Sequence, residues 1–192
     1  MTAGPGVATA APGSVTLAAV LQVLLAATFL IMPALVYRYG ADAQAAAEAE
    51  VVRQGFPAAV LARNHVHFNE GALGLALPVA IALSLVALAL LNVAGNGAGR
   101  IGSWILQPIL LVAGGLIMSR QVLAVQFLES AFKGSGDPTL AGINVKAFAD
   151  AAAGASPAWF PYVVKTRFAL ATLGSLLVII LLAVPSASAH FR

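Results

Sequence analysis

Residues 71–118 read GALGLALPVAIALSLVALALL (71–91), NVAGNGAGR (92–100) and IGSWILQPILLVAGGLIM (101–118). No Asp, Glu, Lys, Arg or His interrupts either apolar block. A helix rises about 1.5 Å per residue, so about twenty apolar residues cross a hydrocarbon layer of ~30 Å. Both blocks fit that length. The link between them contains Asn96-Gly97, a turn dipeptide, and is short enough to force an antiparallel helical hairpin.

Two further apolar runs flank this hairpin. Residues 15–36 carry Gln22 as their only strongly polar side chain. Residues 162–184 form a fourth run if Lys165 and Arg167 stretch their charged ends to the surface. The composition agrees: 60% of the 192 residues are hydrophobic and 9% are charged, against roughly 25% charged in a soluble domain. The sequence therefore predicts an all-α integral membrane protein, a four-transmembrane-helix bundle. It has a tight 2–3 hairpin and two long, partly helical loops on one side. Residues 1–14, small and uncharged, read as a disordered tail, and 15–192 as a single membrane domain. With no Lys or Arg ahead of it, the first run reads as a retained helix rather than a signal peptide.

The long loops, 37–70 and 119–161, hold all seven acidic residues. Residues 41–54 are rich in strong helix formers, so the first helix is expected to project past the membrane until Gly55-Phe56-Pro57 stops it. Residues 121–133 place Val122, Val125, Leu128 and Phe132 at helical spacing, either lying in the interface or lengthening the third helix. A short helix is expected over 147–153. Eight of the ten Lys and Arg fall in the loops or the span ends they meet, leaving Arg100 and Arg192 on the other side. Positive charge marks the cytoplasmic face, which puts the loops inside and both termini outside. Tyr37, Tyr39, Trp159, Phe160 and Tyr162 form an aromatic belt at the loop side, with Trp104 at the opposite face.

Several functions lose support. The chain has no cysteine, which removes disulfides, thiolate metal sites, iron–sulfur clusters and c-type haem. Span centres without ionisable groups disfavour a proton pump and intramembrane haem, so the sequence implies no cofactor. Scattered basic residues form no nucleic-acid patch. The spans suit packing instead: Gly114, Gly115, Ala171 and Ser175 allow close approach, as do Gly71, Gly74, Ala72 and Ala76. Gln22 and Gln107 can hydrogen-bond across helices, and Pro33, Pro78 and Pro108 suggest kinks. Whether these faces only close the bundle, or also dock a membrane-protein partner or a second copy, stays open.

Polar chemistry gathers in Arg63-Asn64-His65-Val66-His67-Phe68-Asn69-Glu70, at the start of the second span. Three readings compete. The first is a helix cap, with Asn64 or Asn69 capping and Glu70 facing the positive helix end. The second is a metal site on His65 and His67, which share a face if the segment is extended. The third is an anionic-ligand site, because Arg63, His67 and Glu70 fall at helical spacing i, i+4 and i+7. That third spacing resembles the second-helix motif of the membrane-associated glutathione and eicosanoid enzymes. The resemblance implies a trimeric four-helix enzyme in which Arg63 and Glu70 hold glutathione, with Arg38 and Arg167 on the same wet side. His67 stands where that family has Asn, Gly71 where an aromatic residue often follows, and Leu73 where it has proline. The sequence thus supports a non-catalytic accessory or scaffold subunit, with a small enzyme for an anionic or amphiphilic substrate as the rival. A channel or lipid-binding protein would need a cavity between spans.

Overall fold

A computed structural model describes residues 10–68 and 72–192, including all side chains there except those at 72, 73, 120 and 121. Most of the expected tail, residues 1–9, lies outside the described residues. The rest is helical, with no strand among the described residues. Four helices are long and apolar enough to cross a membrane: Gly13–Arg53, Gly74–Val93, Gly97–Met118 and Phe160–Ala183. Each overlaps its expected span.

Helix α1 (Gly13–Arg53) organises the molecule. Its 41 residues run unbroken through Pro33, for a length of about 60 Å. Half of its most apolar window is buried, against 17% for the corresponding window of α3 (Ala72–Val93). So α1 is the central helix and α3 lies at the periphery. The α3–α4 hairpin turns as expected: Gly95 adopts a left-handed φ of 71°, and Asn96 caps α4 (Gly97–Ala113) by accepting from the Ala98 N–H. Glycine is needed at 95 twice over, because a Cβ there would lie 2.9 Å from the His190 carbonyl oxygen.

Both later apolar helices contain one π-helical turn, at Gly114–Met118 and at Leu170–Gly174. The latter joins α9 (Phe160–Ala169) to α10 (Ser175–Ala183). The two turns meet where Gly114 abuts Ala171; a Cβ on Gly114 would sit 2.9 Å from the Ala171 Cβ. The sequence anticipated that approach. Its other small-residue faces behave differently: Gly115 has open space beside it, and Gly74 and Ala76 are exposed.

Three cores are strung along α1. Leu25, Phe29, Leu85, Leu110 and Ala171 fill the middle of the bundle, and Val15, Ala18, Val178, Leu182 and Ala187 close the end carrying the termini. The third lies beyond the bundle, where the long loops form a helical cap. It comprises α2 (Ala59–Arg63), α5 (Ser119–Val122), α6 (Ala124–Gly134), α7 (Pro138–Ala141) and α8 (Val145–Gly154). Ala43, Ala47 and Val51, one turn apart on α1, face Leu61, Phe132, Val145 and Phe148. The third helix runs on through Ser119–Val122 as far as the start of the 121–133 stretch, and the rest of that stretch is the separate helix α6. Leu123, at φ −106° and ψ 25°, breaks the chain so that α6 can bury Phe132 against Phe148, ring centroids 6.3 Å apart.

Candidate functional site

In the stretch that sequence reasoning singled out, the described residues 63–68 form a helix stop. α2 ends at Arg63, and His65 takes the left-handed conformation with φ 57°. The His65 N–H donates to the Ala62 carbonyl and the Val66 N–H to the Leu61 carbonyl, while Val66 packs in the same core as Leu61. That is a Schellman motif with its apolar contact. Asn64 Nδ2 donates back to the Val60 carbonyl at 2.8 Å, and Gln44 of α1 accepts from the Phe68 N–H at 3.0 Å. The chain therefore leaves the helix at Arg63, and the helical spacing of Arg63, His67 and Glu70 has no helix to carry it. Arg63, His65 and His67 are exposed, and Glu70 lies outside the described residues. No group of three or more His, Cys, Asp or Glu able to hold a metal occurs among the described residues, so His65 and His67 gain no third ligand there.

The two remaining candidates point apart. Arg38 is exposed and stacks on Tyr39, 5.2 Å from the ring centroid. Arg167 turns inward, its guanidinium 4.4 Å from the centroid of Phe29, a buried residue of α1. Phe29 and Arg38 are roughly 13 Å apart along the α1 axis and half a turn out of phase. The Arg167 guanidinium thus sits over a buried ring of α1, where the sequence allowed for it to stretch toward the surface.

What the fold does bring together is a polar knot among three helices. Gln22 of α1 donates from Nε2 to Ser103 Oγ of α4 at 2.9 Å. Asn92 of α3 donates from Nδ2 to Ser103 Oγ at 2.8 Å and to Gln22 Oε1 at 3.1 Å. Ser103 in turn donates to the Gly99 carbonyl at 2.7 Å. All three side chains are fully buried. One turn along α4, Gln107 is also fully buried, and both its polar side-chain atoms lack a partner among the described residues, as does the Ser175 hydroxyl on α10. The sequence identified Gln22 as a bridging side chain but took Asn92 for the start of the turn and passed over Ser103. Their short distances from the Asn96-Gly97 turn, four residues on one side and six on the other, were the signal that places them at one depth.

No known family, characterised protein or solved structure matches the chain.

The end carrying the termini is clasped by α11 (Pro185–His190). His190 Nε2 lies 3.2 Å from the carbonyls of both Asn92 and Val93. Arg100 donates to Ser188 Oγ at 2.7 Å and stacks on Trp104 and Phe191. At the opposite extreme, hydrogen bonds from Arg53 and Gln54 hold the Glu50 carboxyl down at about 2, well outside the apolar part of α1. The knot consists of amides and a hydroxyl. It offers neither a nucleophile with a base nor a titrating group, and its chemistry is that of a lock.

Proposed function

We propose that the four apolar helices cross a lipid bilayer, with the cap on the cytoplasmic side and both termini outside. In this reading the chain works as a non-catalytic scaffold or accessory subunit. The observation that carries it is α1, which runs unbroken from the bundle into the cap and supplies a buried stripe to each. A movement or load received by the cap is thereby passed to the bundle through one rigid rod. The outer face of α3, where Leu77, Leu83 and Leu90 are all about two-thirds exposed, suits the apolar helix of a membrane partner. The exposed positions of Arg38, Arg63 and His67 weigh against the rival enzyme reading, which needs them to converge on one ligand.

Purification from native membranes in mild detergent should yield a stoichiometric partner, lost on substituting Leu83→Trp. A lone monodisperse monomer that turns over a substrate would overturn the scaffold reading. Sidedness is accessible because the chain has no cysteine. A single Ala189→Cys should react with a membrane-impermeant maleimide in intact cells while Ser135→Cys reacts only after lysis; the reverse pattern would invert the topology.

A further inference from the structure

Where the cap meets the bundle there is a cleft of about 270 Å³, walled by α1, α8 and the start of α9. It exceeds the ~150 Å³ engineered cavity that admits benzene. The space exists because the facing positions are small: Gly40 and Ala43 on α1, and Ala149, Ala152 and Ala153 on α8. Phe68 and Phe160 add to an apolar lining whose only side-chain hydroxyls, among the described residues, are those of Tyr39 and Ser156. The cleft lies at the level of the aromatic belt, since Tyr39 and Phe160 line it and the neighbouring Tyr37, Trp159 and Tyr162 are all exposed. In a bilayer this is headgroup depth.

Charge stands at the edge of the cleft. The Arg38 guanidinium stacks on Tyr39, is exposed, and makes no ion pair among the described residues, where the pairs are Glu50–Arg53 and Lys146–Asp150. An uncompensated cation beside an apolar slot at headgroup depth matches a molecule with an anionic head and a hydrocarbon tail. We propose that the cleft holds one acyl chain of an anionic phospholipid from the surrounding bilayer, with the headgroup phosphate against Arg38. Seated there, the lipid touches α1, α8 and α9 together and fastens the cap to the bundle. The proposal rests on the bilayer reading above, but does not depend on the scaffold role.

The full chain, reconstituted in nanodiscs of mixed phosphatidylglycerol and phosphatidylcholine, can be released and read by native mass spectrometry. One phosphatidylglycerol per chain should be retained, with a preference of about fivefold over phosphatidylcholine, the effect of roughly one basic side chain near a headgroup. Arg38→Gln should bring that preference near parity, and Ala149→Phe, which fills the slot, should abolish retention. If Ala149→Phe does not fold, judged by its circular dichroism, Ser156→Phe makes the same test. Equal retention of the two lipids by the wild type, or undiminished retention with a filled slot, overturns the proposal. So does displacement of the lipid by inorganic phosphate alone, which would mark a bare anion site. Extraction of native membranes with alkaline carbonate separates the two failures: release of the chain would defeat the bilayer reading itself, whereas a chain that stays while lipid preference is absent defeats only this proposal.

Discussion

The two halves of α1 each bury a stripe of side chains, yet they close their cores by different chemistry. In the bundle, Leu25, Ala26 and Phe29 pack beside a fully buried Gln22 that is tied to Asn92 and Ser103. In the cap, Ala43, Ala47 and Val51 meet an apolar core, and polar partners stay at its edges. Gln54 and the Asn144 backbone exchange hydrogen bonds of 2.8 and 3.3 Å, Asn144 also caps α8, and Asp137 caps α7. On the bilayer reading proposed above, in which the bundle faces lipid and the cap faces water, the contrast follows from solvent. Water drives apolar side chains together in the cap, so Phe132 and Phe148 suffice. Lipid tails are as apolar as leucine, so helices in a bilayer gain little from burial and lean on close packing and interhelical hydrogen bonds.

The strongest way to break this comparison is to empty the cap. Phe148→Ala should cost about 3–5 kcal/mol, opening residues 124–154 to limited proteolysis while helical signal from the bundle persists. Loss of both together would mean the halves are one cooperative unit. A smaller effect is expected from Asn92→Leu, which removes both hydrogen bonds donated by its amide. Thermal unfolding in detergent should show a loss of about 1–2 kcal/mol, with cap proteolysis unchanged; a stabilised protein would show that the knot is not needed for packing. The smallest change sharpens the cap side. His65→Gly relieves a left-handed non-glycine residue and should add about 1 kcal/mol to cap stability, read as slower hydrogen exchange across α2. A loss instead would give the imidazole a contact of its own.

Those three sites differ in how far the sequence revealed them. The apolar helices were legible because lipid-length runs are a one-dimensional signal, and the Gly55-Phe56-Pro57 stop marked the end of α1 within a few residues. Phe132 was legible as helical but not as core, because its partner Phe148 lies across a loop broken by Gly134, Gly136 and Pro138, and no local pattern encodes that pairing. The helical spacing read into 63–70 is not carried by the described residues 63–68, for a specific reason. Spacing of i, i+4 and i+7 has meaning only on a continuous helix, and the chain stops one at Arg63 using His65 where glycine is usual. The polar knot was half visible, since Gln22 is conspicuous in an apolar run while Asn92 blends into a turn.

The cap core also sets an order of events during synthesis. Its contacts join residues 43–66 to residues 132–152, with the whole α3–α4 hairpin lying between them in the chain. At a translation rate of roughly 5–20 residues per second, the Ala43, Ala47 and Val51 stripe waits about 5–20 s on the ribosome before Phe148 exists to cover it. The cap can shut only after the hairpin has been made. Its closure is thus a built-in sign that the middle of the protein has been delivered, and a chain stalled before α8 would display an uncovered apolar stripe for quality-control proteases to find.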